Sequence, residues 1–345
     1  MNINSLVRPN IIQLKPYASA RDEFKDFKKS MTFLDANENP FETGLNRYPD
    51  PQQSALKIRL SSIKDCNANQ LLLGNGSDEV LDLIFRAFCE PGKDKVILLP
   101  PTYGMYEVLA NLNNIETIKI PLNTDFQPNV SDILKASNSN CKILFLCSPN
   151  NPTANSFGAE VIEELLLKFK GIVVIDEAYI DFSEQESWSS RLAEFPNLII
   201  IQTLSKAFGL AGIRLGIAIA SPEIISILNR IKPPYNINQL TQQSALNKLE
   251  NLEIVTNQIE LIKNERIRVL SALQNIDFVR KRYSSDANFI LVQVDDANKR
   301  YQQLIDKEIV VRNRTKEPGC NNCLRFTIGT SEENTKLLTV LKSLT

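Results

Sequence analysis

Four short and almost purely apolar runs recur between residues 96 and 201: Val96-Ile97-Leu98-Leu99, Ile143-Leu144-Phe145-Leu146-Cys147, Ile172-Val173-Val174-Ile175 and Leu198-Ile199-Ile200-Ile201. A strand with one wet face alternates polar and apolar residues; runs with no polar alternation predict strands covered on both faces. Segments of helical pattern separate them, so the connections predict crossovers and a mostly parallel sheet with helices on both faces, an α/β fold. Ligands in such sheets bind beyond the carboxyl ends of the strands. The residues that follow each run are therefore where the chemistry should lie.

After the first run comes Pro100-Pro101-Thr102-Tyr103-Gly104-Met105-Tyr106, where Tyr103 can stack on a flat ring and Tyr106, one helical turn later, reads as core. After the second comes Ser148-Pro149-Asn150-Asn151-Pro152-Thr153, a proline-clamped turn open to cis bonds. Asn151 could hold that turn or aim its amide at a ligand. The third run delivers Asp176 to a strand end, with Glu177, Ala178 and Tyr179 behind it. An Asp-Glu pair there could bind magnesium, but that reading wants a GxxxxGK[ST] phosphate loop, and the chain has none.

The fourth run opens onto Thr203-Leu204-Ser205-Lys206-Ala207-Phe208-Gly209-Leu210-Ala211-Gly212-Ile213-Arg214-Leu215-Gly216. A lysine in partly dry surroundings has a lowered pKa and can attack a carbonyl. Thr203, Ser205 and Arg214 suit a phosphate, the arginine by bidentate pairing. A lysine beside a phosphate seat points to pyridoxal 5'-phosphate; the alternative is a solvated lysine in a glycine loop. Upstream, Gly74-Asn75-Gly76-Ser77-Asp78 precedes an amphipathic helix, so its free N–H groups can face an anion, with Ser77 and Asp78 as ligands or as plain caps.

Composition narrows the class. With 345 residues and 43% apolar content, the chain can bury one large α/β core and a smaller one. A net charge of −1 gives no general drive toward nucleic acid or anionic membranes, and no apolar stretch reaches signal-peptide or membrane-spanning length, so a cytoplasmic protein is expected. The absence of histidine excludes histidine-based triads, zincins and histidine general bases. Six scattered cysteines show no secreted framework. Cys320-Asn321-Asn322-Cys323 lacks the second ligand pair of a structural zinc site and reads as a loop and a strand edge, so no metal is expected.

Past Gly216 no glycine occurs before Gly319, and Pro233-Pro234 breaks a helix. Leu246, Leu249, Leu252, Val255, Ile259, Ile262, Val269 and Leu273 then follow helical spacing. Strands are expected at 286–292, 309–312 and 324–329, with Arg312 and Arg325 on or beside them, while Arg314 reads as a surface ion pair. The expected organisation is residues 1–30 packing with a smaller domain, a large domain over 31–235, and a small C-terminal domain over 236–345.

The lysine stretch resembles the cofactor-lysine region of the fold-type I aminotransferases that use pyridoxal phosphate. Motifs from Leu14-Lys15-Pro16-Tyr17 to Leu324-Arg325-Phe326-Thr327 are similar to those of the histidinol-phosphate aminotransferase branch. The resemblance implies a fold-type I homodimer with a mostly parallel central sheet and a smaller α+β domain formed by the N- and C-terminal segments. It implies cofactor on Lys206, Asp176 at its pyridine nitrogen, Tyr179 and Asn151 at its ring oxygen, and Tyr103 stacked on the ring. The phosphate would lie on Ser77, Asp78, Thr203, Ser205 and Arg214, with Tyr48 reaching in from the neighbouring subunit. Tyr17, Asn151, Arg312 and Arg325 would hold the substrate. The implied reaction moves the amino group of L-histidinol phosphate to 2-oxoglutarate, giving imidazole-acetol phosphate and glutamate. Aromatic amino-acid aminotransferase and threonine-phosphate decarboxylase share these motifs as rivals. A non-catalytic regulator of this fold and a nucleotide-binding protein are readings of other classes. Where the family has glycine after Asn-Pro-Thr this chain has Ala154, which is mildly strained if the position needs a positive φ.

Overall fold

The computed structural model describes residues 2–15 and 31–344. Seven strands form the central sheet: β1 (Leu71–Asn75), β2 (Lys95–Leu98), β3 (Glu116–Lys119), β4 (Cys141–Cys147), β5 (Ile172–Asp176), β6 (Leu198–Thr203) and β7 (Leu215–Ala220). Their order is β1-β7-β6-β5-β4-β2-β3, with β7 antiparallel to both of its neighbours and the β3-β2-β4-β5-β6 pairs parallel.

The apolar runs are apolar throughout because alternate residues serve two different cores. Leu144, Leu146, Val173, Ile175, Leu198 and Ile200 face one cluster, while Ile143, Phe145, Ile172, Val174, Ile199 and Ile201 face the other. Each such aliphatic side chain contributes roughly 1.5–3 kcal/mol when withdrawn from water. A polar residue on either face would forfeit that. The helix α3 (Gly76–Phe88) buries Val80, Leu81, Ile84, Phe85 and Phe88 from one stripe. The helix α7 (Pro222–Ile231) starts on Ser221, whose hydroxyl accepts from the Ile224 N–H, with proline at the first turn.

A second, antiparallel sheet has the order β10-β11-β9-β8, made of β8 (Val279–Arg282), β9 (Phe289–Val294), β10 (Arg312–Asn313) and β11 (Cys323–Thr327). Ile290, Val292, Leu324 and Phe326 face its own helices, α9 (Leu252–Ala272), α10 (Ala297–Asp306) and α11 (Ser331–Ser343). Phe289, Leu291 and Cys323 belong to the core of the large sheet instead. The second sheet thus presents one face to the carboxyl-end side of the first.

Two expectations change. The strand expected over 309–312 shrinks to Arg312–Asn313, because Val310 points outward at 82% exposure and takes no part in pairing. The helical spacing from Leu246 to Leu273 is carried by two helices, α8 (Gln239–Glu250) and α9, which meet at Asn251. The described residues of the N-terminal segment pack on the large sheet's helices and not on the smaller sheet. Ile3, Val7 and Ile11, spaced by four, form a stripe buried with Leu228 and Phe88, and the Arg8 N–H donates to Ala87 O at 3.0 Å. Helix α1 (Pro9–Ile12) completes that contact.

Candidate active site

Beyond the carboxyl ends of β4, β5 and β6 lies a cavity of about 110 Å³ lined by Ser77, Asp78, Tyr103, Cys147, Asn151, Asp176, Ala178, Tyr179, Thr203, Ser205, Lys206 and Arg214. One end is acidic and dry. Asp176, the last residue of β5, is 3% exposed and sits in register with Cys147 of β4. Its Oδ2 accepts from the Tyr106 hydroxyl at 2.6 Å and its Oδ1 from the Ala178 N–H at 3.1 Å. Burial pushes its pKa up, and those two hydrogen bonds pull against burial. A buried carboxylate held in this way is an acceptor prepared for a cationic N–H.

The other end is built for an anion. Helix α3 begins there, with Gly76 at φ +72° and its N–H on Arg214 O at 2.8 Å. A Cβ at Gly76 would stand 2.6 Å from Arg214 Nη2, and one at Gly216 would stand 2.3 Å from the Gly76 carbonyl carbon. Glycine is required at Gly216 because β7 runs against the backbone of the helix start, and at Gly76 because of its left-handed φ, the Arg214 side chain there being able to shift. Arg214 Nη2 lies 3.5 Å from Asp78 Oδ2, and the Tyr103 hydroxyl donates to Asp78 Oδ1 at 3.1 Å. Asp78 therefore braces Arg214 and Tyr103, which a carboxylate can do while it would itself repel a phosphate. Thr203 Oγ lies 3.0 Å from Ser205 Oγ and accepts from the Ser205 N–H at 3.1 Å.

Lys206 opens onto the cavity between these ends, its Nζ 5.7 Å from the centroid of the Tyr179 ring. Solvent reaches it, yet protein crowds it enough that burial, followed by the charge of Arg325, lowers its pKa. The amine is therefore neutral at a lower pH than an ordinary lysine, which is what a nucleophile needs. Tyr179 stays protonated because burial raises its pKa, and its ring meets Phe289 edge-on at 5.0 Å.

Arg325 reaches the site from β11. Its Nη1 donates to Asn151 Oδ1 at 2.5 Å, which commits the amide oxygen and leaves the Asn151 NH2 for the cavity. Burial and then Arg314 lower the Arg325 pKa to about 10. Arg312 stands directly across from Arg325 in the sheet register and is exposed. Tyr48 does not line the cavity; it is exposed and stacks on Tyr235 at 4.5 Å. Tyr17 lies outside the described residues. A larger open groove of about 650 Å³ beside α7 is no rival: its Arg8, Arg86 and Arg230 are engaged by Glu90, Asp82 and Ile12 O.

An amine, a strand-end acid and an anion cradle around one cavity are the apparatus of a pyridoxal-phosphate enzyme, and the family model for aminotransferase class I and II matches residues 23–341. The chain belongs to the class I and II aminotransferases. A histidinol-phosphate aminotransferase of Christiangramia forsetii is 62% identical over 99% of this chain and 98% of its own. That of Parabacteroides distasonis is 51% identical, with 99% of each chain covered. A crystal structure of the histidinol-phosphate aminotransferase from Clostridium acetobutylicum superposes with a TM-score of 0.80 at 26% identity, over 87% of this chain and 91% of that one. Within the aminotransferases the chain thus belongs with the histidinol-phosphate branch.

Some residues of this aminotransferase site escaped the sequence. Tyr106 was expected only in the core; it is fully buried and also bonds Asp176. Its spacing of three from Tyr103 on α4 (Met105–Leu112) and the turn before it was the available signal, since residues three apart share a helical face. Asn150, not Asn151, holds the proline turn, through Pro101 O at 2.9 Å and Thr153 Oγ at 2.7 Å. Cis bonds precede Pro149 and Pro152, and Ala154 has φ +69°. Cys147 and Ala178 line the cavity with no sequence signal beyond position. Cys320 lies in a loop and Cys323 opens β11; both are buried and free, and no cluster of three potential metal ligands occurs among the described residues.

Proposed function

We propose that this aminotransferase moves the amino group of L-histidinol phosphate to 2-oxoglutarate, giving imidazole-acetol phosphate and L-glutamate, with pyridoxal 5'-phosphate held on Lys206. The observation that carries the cofactor assignment is the cavity itself. Its ends match the two ends of that molecule, with Asp176 for a ring nitrogen and the Gly76 helix start with Arg214 for a phosphate. Full-length identity of 62% to a histidinol-phosphate aminotransferase supports the substrate.

When bound, the cofactor supplies an aldehyde that condenses with amines and a protonated ring that takes up the electron pair left by a departing proton. The chain does the rest. Ser77, Thr203, Ser205, Arg214 and the first N–H groups of α3 hold the phosphate. Asp176 accepts the ring N–H and keeps it protonated. Tyr103 covers the ring face; Tyr179 and the Asn151 NH2 donate to the ring oxygen. Lys206 Nζ, whose pKa burial lowers, takes the proton from the substrate carbon that bears the amine and returns it to the carbon of the cofactor's aldehyde. Arg325, Arg312 and Tyr17 grip the substrate anion, and the partner subunit's Tyr48 completes the phosphate seat of a homodimer in the cytoplasm.

The test is glutamate formation by the purified holoenzyme from histidinol phosphate, phenylalanine and threonine phosphate in parallel. Preference for histidinol phosphate is expected. Preference for phenylalanine, or CO2 release from threonine phosphate, would overturn the substrate.

A further inference from the structure

The register of the second sheet places three arginines on one face. Arg312 pairs with Arg325, and the Arg314 N–H donates to Cys323 O at 2.8 Å, so Arg312 and Arg314, two residues apart, project from the same side as Arg325. That side carries Phe289, over which the Arg325 guanidinium lies at 5.0 Å and against which Tyr179 packs. The three cations therefore share the sheet face from which Arg325 reaches Asn151 of the cavity lining.

Their compensation is incomplete. The Arg312 side chain makes no ion pair or hydrogen bond among the described residues, and Arg325 has only the neutral Asn151. Arg314, expected as an ordinary surface ion pair, reaches Glu317 at 3.6 Å, too long for a bidentate contact. The Nε atoms of both Arg314 and Arg325 are buried without any partner. Arg314 is also felt inside the site, where its charge depresses Arg325 and favours the ionised form of Tyr179. Leaving two guanidinium donors orphaned and three like charges adjacent is costly unless an anion with several acceptor oxygens returns to neutralise them.

We propose that Arg314 is a third anion-binding arginine of the substrate pocket and sets the preference for a phosphate monoester over a carboxylate. The proposal rests on the function argued above. A carboxylate brings one charge and two oxygens, which Arg325 can satisfy alone. A phosphate monoester brings nearly two charges and three terminal oxygens, and needs more donors.

The test uses the holoenzyme carrying Arg314→Gln and Arg314→Lys. The ratio of kcat/KM for histidinol phosphate to that for glutamate should fall about 10- to 100-fold in Arg314→Gln, the loss of one charge-assisted hydrogen-bond set, with partial recovery in Arg314→Lys. Inorganic phosphate, at ionic strength matched with sodium chloride, should inhibit the glutamate reaction, and its inhibition constant should rise about tenfold or more in Arg314→Gln. An unchanged ratio and an unchanged phosphate constant overturn the proposal, whether or not the melting temperature drops. A wild-type enzyme that ignores histidinol phosphate but loses phosphate inhibition in Arg314→Gln would overturn the substrate and leave Arg314 as the phosphate ligand.

Discussion

In the proposed reaction Lys206 and Asp176 act at opposite ends, and their substitutions separate binding from chemistry. Lys206→Ala should still bind pyridoxal phosphate through the Arg214 cradle, measured by equilibrium dialysis, while steady-state transamination disappears; retained turnover would remove Lys206 from the chemistry. Asp176→Asn should leave the melting curve near wild type and slow the single-turnover loss of the substrate proton by about two orders of magnitude or more, because a neutral amide cannot hold a ring nitrogen protonated. Near-normal half-reactions would exclude that role. At this scale residue type was legible where chemistry demands it. A strand-end aspartate and a lysine among glycines each stand out in the sequence beside an alternative use, and the fold brings both to one cavity. Tyr106 was hidden because a buried aromatic looks the same whether its hydroxyl is idle or bonded to Asp176 at 2.6 Å. Asn150 and Asn151 are chemically identical neighbours, and only the path of the turn decides which one holds it.

Elements carry the site because their ends are placed without freedom. Gly76→Ala forces a side chain into φ +72° and 2.6 Å from Arg214, whereas Gly104→Ala meets nothing within 4 Å at an ordinary helical φ. Gly76→Ala should therefore weaken cofactor affinity about tenfold or more and Gly104→Ala should not; equal effects would dissociate the helix start from the phosphate. Helix α2 (Ser54–Ile63) offers a test of buried charge. Burial, and then the nearby Lys232, lowers the Lys57 pKa to about 8 from an ordinary value of 10.5. The folded chain thus sheds this proton before the unfolded chain does, so the cost of Lys57 is complete below pH 8 and fades as pH rises toward 10.5. Lys57→Met should raise the melting temperature at pH 7, by a gain on the order of 2–3 kcal/mol, and much less at pH 10. A gain equal at both pH values would mean that packing, not charge, sets it. The buried strands were legible because both faces are covered. Edge β10 was overextended because Ile309-Val310-Val311 is strand-like by propensity, while only Arg312 and Asn313 find a partner.

For the whole molecule, the fold followed from the alternation of apolar runs and helices, but the relation between units did not. The contacts of Phe289 with Tyr179 and of Arg325 with Asn151 join residues over a hundred positions apart, and no local pattern announces them. The place of residues 3–12 is not legible for the same reason, since an apolar stripe states that it is buried and not against what. Tyr48, with Leu34, Phe41, Leu45 and Leu240, stays exposed on the isolated chain, as an interface would. If the partner subunit's Tyr48 serves each site, mixing Tyr48→Phe with Lys206→Ala protein yields heterodimers with one intact site and one doubly damaged. Activity should then rise toward roughly a quarter of wild type when exchange is complete. No recovery, with exchange shown by size-tagged subunits, would keep Tyr48 within its own chain or outside the site.

The central claim, that this cavity holds pyridoxal phosphate and uses it on histidinol phosphate, is tested most directly by one absorbance experiment on the purified protein. Excess L-histidinol phosphate should convert the visible cofactor band within the mixing time, and 2-oxoglutarate should restore it. A protein with no cofactor band after reconstitution, or one whose band responds to glutamate and never to histidinol phosphate, would contradict it.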